Sequence, residues 1–405
     1  MKIFNSTGLC EPEKHYMVDL TDRLVQIKAM VDAGKYFTIN RARQYGKTTT
    51  LAALRRSLSP EYDVLSLDFQ EIGNAGFATE ENFVQEFCGL IRKEKRSGFY
   101  ITEKISQQLD DYYNRKEHRA RLGYLFDTLS EWCEINKKGI VLMIDEVDNA
   151  TNNQVFVDFL AQLRESYLQR EERGIPAFQS VILAGVTDIR NLHRKLWPNE
   201  AHIVNIPWNI AADFNVDMSL SAPGIQGMLD EYEADYRTGM DTTVVAKELH
   251  AFTNGYPFLV SRICQLMDER MLGGRFETRS EIWTPVGVSE AVRMLLEEKN
   301  TLFESLMGEV YASEELRDIL QTVLFSGARV PYNPDVLPIL DGEIYGFLRQ
   351  KNGTVVIANR IFETRLCNYF LSCDEPRRAP VFRAGNNSRM DFIRNGRLDM
   401  AVIQK

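Results

Sequence analysis

The sequence lacks long apolar segments. No run in its 405 residues approaches the eighteen or so apolar residues that cross a membrane. The first residues, Met1 to Lys14, contain no apolar core of signal-peptide length. We therefore expect a cytoplasmic protein that has no membrane partner.

Cysteine and histidine are also sparse and carry no pattern of a metal site. The six cysteines are scattered without a C-x-x-C pair, and the five histidines show no H-E-x-x-H spacing. Most cysteines stand in apolar helical contexts, which favours buried free thiols over disulfides or metal ligands. A metal site made of side chains alone is not expected.

An overall basic balance is missing as well. The formal net charge is −9, which argues against a surface that coats nucleic acid generally. The last 29 residues are an exception, because from Arg377 onward they hold six arginines and one lysine against Asp391 and Asp399. A local contact with nucleic acid through the C-terminal region is therefore compatible with the composition.

The most informative stretch is the run from Arg41 to Thr50. A β-prone segment, Tyr36 to Ile39, comes before it, and leucines at helical spacing follow it. The order strand, tight loop, Gly46-Lys47-Thr48 and helix is the order that a phosphate-binding P-loop requires. The usual pattern is G-x-x-x-x-G-K-[ST], and here Arg41 stands at the first glycine.

Each residue type in this loop suits a triphosphate. Backbone N–H groups and the positive end of the following helix surround phosphates, Lys47 neutralises their oxygens, and Thr48 offers a hydroxyl to Mg²⁺. The predicted nucleotide-binding residues of the loop are Arg43, Gln44, Tyr45, Gly46, Lys47, Thr48 and Thr49.

A second stretch, Ile140 to Asp148, supports this interpretation. A continuous apolar run that ends in Asp145 and Glu146 is typical of a strand buried on both faces of a parallel sheet, with its carboxyl end at a site. This matches the Walker B pattern. We predict that Asp145 helps to hold Mg²⁺ and that Glu146 is the general base, and the alternative is a solvated acidic loop.

Other catalytic candidates are placed by position alone. Thr187 and Asp188 follow the apolar run Phe178 to Val186, where they could orient the attacking water or sense the γ-phosphate, although any strand exit is polar. Arg164, Arg190 and Arg194 are candidates for an arginine that stabilises the transferred phosphoryl group, and the sequence does not rank them.

Strand-like and helical segments alternate through the first half of the chain, which predicts an α/β layer with a mostly parallel, five-stranded sheet. After Ser221 the pattern becomes helical, and residues 311–373 follow a helix-helix-hairpin order typical of a winged-helix unit. The predicted strands are 36–39, 62–69, 140–144, 178–186 and 214–219. The predicted domains are a P-loop ATPase domain (1–222), a helical lid (223–306), a winged-helix-like domain (307–373) and a basic tail (374–405).

The loop R-A-R-Q-Y-G-K-T resembles that of the bacterial AAA-ATPase-like family, P-loop NTPases close to the STAND and AAA+ groups. The segments 15–19, 144–148, 208–218 and 254–259 agree with it, so the resemblance spans most of residues 1–372. In this family the loop commonly begins with a bulky or basic residue, which accounts for Arg41.

The resemblance implies further roles. Gly255 and Pro257 match a G-x-P element that related ATPases place against the nucleotide, and Tyr16, Met17 and Val18 would lie near the adenine. Specificity for ATP or ADP and assembly into a homo-oligomer are likewise implied by the resemblance. Many members continue into a PD-(D/E)xK nuclease-like domain. We find no strand with the E-x-K signature and a preceding aspartate, and we do not expect that activity here.

The sequence thus predicts Mg²⁺-dependent ATP binding with slow hydrolysis that drives a conformational switch. One alternative is a nucleic-acid-associated ATPase that uses the winged-helix-like region and the basic tail. A second is an interaction module that binds nucleotide without hydrolysing it.

Overall fold

The computed structural model describes residues 2–114, 120–186, 208–373, 393–394 and 397–398. The chain divides into two compact units. The sheet unit comprises 20–41 and 46–218, and the helical unit comprises 1–19, 42–45 and 219–405. Within the described ranges, no helix has the length and apolar character needed to cross a bilayer.

The sheet unit alternates strands and helices, as the sequence pattern predicts. Its described elements are α1 (Thr21–Asp32), β1 (Tyr36–Asn40), α2 (Lys47–Leu58), β2 (Asp63–Asp68), α3 (Glu80–Arg96), α4 (Glu103–Tyr113), α5 (Leu122–Ile135), β3 (Ile140–Asp145), α6 (Gln154–Arg173) and β4 (Ser180–Gly185). Short 3₁₀ helices lie at Phe69–Glu71, Asn74–Phe77 and Val147–Ala150.

The four strands pair in the order β1-β4-β3-β2, and every pairing is parallel. This confirms the prediction of an α/β fold with a parallel sheet. Strand β3 is the clearest case, because its five apolar residues are all buried. Burial of each such side chain stabilises the folded state by about 1.5–3 kcal/mol. The carboxyl ends of the parallel strands meet at one edge, where the last residues of β1, β2 and β3 are polar: Asn40, Asp68 and Asp145.

The prediction of a fifth strand over residues 214–219 is wrong, and the described sheet has four strands. Just before this segment the chain forms a single parallel bridge to β1, between Phe37 and Ala212, and the Phe214 ring stacks on Phe37. The backbone carbonyls that a strand would use are taken by side chains, since Arg41 Nη2 donates to the Val216 oxygen and Arg23 Nε to the Asp217 oxygen. Guanidinium groups thus replace a strand partner along this segment.

The helical unit contains two short antiparallel hairpins besides its helices. Its elements are α7 (Ala222–Tyr236), α8 (Thr242–Thr253), α9 (Pro257–Glu269), α10 (Arg279–Ile282), α11 (Pro285–Glu297), α12 (Thr301–Ala312), α13 (Glu314–Phe325), α14 (Leu337–Ile344), β5 (Leu348–Lys351), β6 (Thr354–Ile357), α15 (Arg360–Ser372), β7 (Ile393–Arg394) and β8 (Arg397–Leu398).

The core of the helical unit is aromatic at one end. Phe4, Tyr16, Tyr232 and Trp283 are each almost fully buried, and the ring centroids of their contacting pairs lie 4.6–5.8 Å apart. The N-terminal residues are therefore part of this unit's core, although a helix of the sheet unit follows them directly in the sequence.

Candidate functional site

The predicted phosphate loop lies between β1 and α2. Its backbone has two positive φ angles, 56° at Gln44 and 80° at Gly46. Gly46 is in the left-handed region immediately before Lys47, the first residue of α2. The first N–H groups of an α-helix have no partner within the helix, so the loop leads directly into an anion-binding helix end.

Arg41 occupies the first-glycine position without a positive φ, and its N–H donates to the Gly185 oxygen at 3.1 Å, extending the ladder between β1 and β4. The guanidinium lies 5.4 Å from the centre of the Phe214 ring and donates to the Val216 carbonyl oxygen at 2.9 Å. Glycine is therefore not required at this position, because the φ of Arg41 is not positive, and the left-handed positions fall later in the loop.

Lys47 is buried, with 6% of its surface exposed. Its ammonium group donates to the Arg41 carbonyl oxygen at 3.0 Å, which spans the loop from its last residue to its first. A lysine in this position, directly after the loop whose N–H groups surround phosphate, is suited to neutralise the charge of phosphate oxygens.

The two separated motifs meet through Thr48 and Asp145. The Thr48 hydroxyl donates to Asp145 Oδ2 at 2.8 Å, and Asp145 Oδ1 accepts the Glu146 N–H at 2.9 Å. Glu146 itself has a left-handed backbone with φ 53°, and both acids are half-buried. Hydroxyl and carboxylate oxygens are hard ligands of the kind that Mg²⁺ prefers, so the residues present fit this ion.

Asp148 ties the turn after β3 to the end of β4. Its Oδ2 accepts the Val186 N–H at 2.6 Å, and a Cβ on Gly185 would lie 3.0 Å from that oxygen. The predicted catalytic Thr187 comes directly after Val186, but Thr187, Asp188, Arg190 and Arg194 lie outside the described residues. Arg164 is described, and its Nε donates to Asn209.

Asp68 belongs to the same edge of the sheet, and the sequence reasoning missed it. It ends β2 directly opposite Asp145 in the parallel register. Burial raises the pKa of Asp68 and the nearby Asp145 charge raises it further, against the lowering effect of the Gln70 N–H. The available signal was an acidic residue near the end of the predicted strand 62–69, but only the structure shows that this strand pairs with the Walker B strand.

The middle of the phosphate loop, Ala42–Tyr45, groups with the helical unit. The Tyr256 hydroxyl donates to the Arg43 carbonyl oxygen, and the Tyr45 and Tyr256 rings meet edge to face at 4.7 Å between centroids. Gln44 Nε2 donates to the Thr301 hydroxyl at 2.9 Å. Tyr256 is the middle residue of the G-x-P element, in which the resemblance implies a role only for Gly255 and Pro257.

Those neighbours, Gly255 and Pro257, shape the start of α9. Gly255 has φ 72°, its carbonyl accepts the Leu220 N–H at 2.8 Å, and an added Cβ would lie 2.2 Å from the Leu220 oxygen. Pro257 is the first residue of α9. The N–H of a residue at this position would make no hydrogen bond within the helix, so proline is tolerated there. Their predicted contact with nucleotide stays a prediction.

The residues predicted to lie near adenine have structural partners of their own. The Tyr16 hydroxyl donates to Asp235 at 2.6 Å, and Val18 is buried. Met17 between them is half-buried. Their predicted contact with adenine also stays a prediction.

Comparison with known proteins adds three findings. The family model described as the AAA-like domain matches residues 14–272. An uncharacterised WD repeat-containing protein of Synechocystis sp. is 23% identical over 329 residues, which is 75% of this chain. The chain spans only 25% of that relative's length. A solved Walker-type ATPase of Pyrococcus abyssi superposes with a TM-score of 0.60 at 13% identity, over 90% of this chain and 99% of that one.

Proposed function

Since the chain belongs to the AAA-like domain family, with the α/β fold of P-loop ATPases, we propose that it binds ATP together with Mg²⁺ and hydrolyses it slowly. The observation that carries this proposal is the hydrogen bond between Thr48 and Asp145. This bond joins α2, the helix that follows the phosphate loop, to β3, the strand at whose end the acidic pair lies. In the sequence, 96 residues separate Thr48 from Asp145.

The nucleotide's phosphates would be held by the loop from Arg43 to Thr49, with the Lys47 ammonium on the β- and γ-phosphate oxygens. Thr48 and Asp145 would hold Mg²⁺, which supplies positive charge against the phosphate oxygens when it is bound. Two side-chain oxygens suffice for this ion, because Mg²⁺ usually keeps several waters and takes other ligands from the nucleotide.

Glu146 is the proposed general base. It follows Asp145 directly, and the N–H that it donates to that carboxylate fixes its backbone beside the metal ligand. From there its side chain can accept a proton from a water that attacks the γ-phosphate. Thr187, after the neighbouring strand, is proposed to orient this water.

We propose that nucleotide acts as a conformational switch. The loop residues Ala42–Tyr45 group with the helical unit, while Gly46 and α2 belong to the sheet unit. A ligand that tightens the loop therefore pulls on the contacts of Arg43 and Gln44 with Tyr256 and Thr301. Slow turnover suits a switch, because the nucleotide-bound conformation must last long enough to have an effect.

The finer organisation is part of the same proposal. The proposed domain division at residues 222, 306 and 373 follows the sequence pattern, and the STAND-like grouping follows the family resemblance. The winged-helix assignment is supported by the order α12, α13, α14, antiparallel hairpin and α15.

ATP turnover by two variants tests the proposal. Glu146→Gln keeps the shape of the side chain but not its basicity, so the hydrolysis rate should fall by about 10² to 10⁴ while nucleotide binding persists. Lys47→Ala should lose both. Asp127→Asn, an exposed change elsewhere in the sheet unit, is the control. Unchanged turnover in both test variants would refute the catalytic assignment.

A further inference from the structure

An open groove of about 540 Å³ lies in the helical unit, beside the β5–β6 hairpin. The end of α13, the loop after it, the hairpin and the start of α15 form its walls. The lining is mainly polar and includes four cationic residues, Arg329, Arg349, Lys351 and Arg360. Among the described lining residues Glu363 is the one carboxylate, so the groove is basic in a chain of net charge −9.

These cations are available for a ligand. None of the four forms an ion pair with a carboxylate of the described chain, whereas Arg275 and Arg293 elsewhere in this unit both pair with Glu290. Arg349 uses Nε to donate to the Ala358 carbonyl, and Arg360 lies over the Phe252 ring at 4.8 Å. Both contacts leave the guanidinium charge unneutralised, and concentrated like charge that is not paired internally favours an anionic partner.

The backbone places two of the cations next to each other on one strand. Arg349 and Lys351 are two residues apart on β5, so they lie on the same face of the hairpin, about 6.6 Å apart along the strand. Leu348 and Val355 are buried, so their face of the hairpin packs toward the core. The face that carries Arg349 and Lys351 therefore points outward. The segment around Val330 runs along the edge of β6 that does not face β5, and the Val330 oxygen accepts the Val355 N–H at 2.9 Å. This bond places exposed Arg329 at the rim of the groove.

The start of α15 adds a helix end to this wall. Asn359 caps the helix by accepting the Phe362 N–H at 2.9 Å, and Arg360 is the first helical residue. The partial positive charge of a helix N-terminus favours negative groups nearby. It reinforces the side-chain cations.

We infer that this groove binds the phosphodiester backbone of a nucleic acid duplex. Four cations on three different elements suit a ligand whose charge repeats, and a single small anion would reach only some of them. Three of the four are arginines, whose planar fork binds phosphate oxygens in pairs. Contacts of this type are made to phosphates and carry no base sequence, so we expect binding without sequence preference. The inference does not rest on nucleotide binding at the phosphate loop.

Binding of a labelled DNA duplex of about two helical turns to the full chain tests this inference at several salt concentrations. The double variant Arg329→Ala/Lys351→Ala removes two exposed side chains, and its fold is checked by circular dichroism. We expect weaker binding to every duplex sequence and a salt slope smaller by about 2, one for each lost phosphate contact. Glu363→Gln should bind more tightly.

The matched control is Arg275→Ala/Arg293→Ala, which changes the net charge equally at ion-paired positions outside the groove. It should keep the wild-type salt slope. Absence of duplex binding by the wild type at low salt, or equal slopes in the two double variants, would overturn the inference. Poly-glutamate separates a nucleic acid from an acidic protein partner, and preferential binding of poly-glutamate would also overturn it.

Discussion

At the scale of single residues, Arg41 shows what replaces glycine at the start of the phosphate loop. Its backbone continues β1, so no left-handed φ is needed there. Its guanidinium contacts the Phe214 ring and the Val216 carbonyl, in a segment that pairs with no strand among the residues that the structure describes. Arg41 therefore stabilises the fold around the loop, and its side chain is not required to approach phosphate.

Replacing Arg41 with glycine should destabilise the protein. The change removes a charged hydrogen bond and a cation–π contact and frees the unfolded chain, for a loss of about 1–3 kcal/mol in unfolding free energy. Chemical denaturation measures this loss. Arg43→Gly, at an exposed arginine two residues further along, is the control. Equal stability of the two variants would contradict the role given to Arg41.

Asp68 gives a prediction for pH. Its pKa in the folded protein is raised above the ordinary value of 3.8 by burial and by Asp145. The folded state thus binds the proton more tightly than the unfolded state does, and this group's contribution to stability falls as pH rises from about 4 through the folded pKa. Asp68→Asn removes the titration, so its melting temperature should rise relative to wild type as pH increases from 4 to about 7.

Asp127→Asn serves as the control here too, because that carboxylate is exposed. Its melting temperature should track wild type across the same pH range. A constant difference between Asp68→Asn and wild type at every pH would show that Asp68 is not perturbed in the way described.

At the scale of elements, the sequence predicted the strands that are buried on both faces and failed where side chains replace backbone partners. The strand Ile140–Asp145 was visible because continuous apolar residues have no other stable place in such a layer. The segment 214–219 looked like a strand, but arginines from elsewhere occupy its carbonyls. Such long-range contacts leave no local pattern.

Helix boundaries show the same limit. Apolar residues recur at helical spacing from Val288 to Leu306, which predicts a single helix, whereas the structure has α11 and α12 with a break at residues 298–300. The Asn300 side chain caps α12 by accepting the Phe303 N–H at 2.9 Å. Asparagine is a strong N-cap, so this break could have been predicted.

Within the candidate site, the phosphate loop and the Walker B strand could both be predicted from the sequence. Asp68 could not, because the register between β2 and β3 places it opposite Asp145. Tyr256 could not, because its role depends on a tertiary contact with Arg43.

The contact between the phosphate loop and α9 gives a prediction for the switch. Tyr256→Phe removes the hydroxyl that donates to Arg43, at a loss of about 0.5–1.5 kcal/mol in unfolding free energy. In the wild type, MgATP should slow hydrogen exchange in the first turns of α9 and α12. The variant should show a smaller change in α9.

Tyr311→Phe is the matched control, because the Tyr311 side chain is largely exposed at 61%. It should keep the full response to MgATP. If Tyr256→Phe also keeps the full response, the loop is not coupled to the helical unit through this hydroxyl.

At the scale of the whole molecule, the two units carry two positively charged sites, for which we propose different anionic ligands. Buried Lys47 and the start of α2, both in the sheet unit, are proposed to bind a triphosphate, and the cations of the groove in the helical unit are proposed to bind a repeating polyanion. Each unit has its own hydrophobic core. We therefore expect substitutions in one unit to remove one of the proposed activities and to leave the other.

Nucleotide binding is the central claim, and isothermal titration of the full chain with MgATP tests it most directly. We predict saturable binding to the wild type and to Lys299→Ala, an exposed lysine of the helical unit. Affinity should be lower by at least about tenfold in Lys47→Ala, because a charged hydrogen bond to phosphate is lost. Absence of heat with the wild type, or equal affinity in Lys47→Ala, would contradict the account.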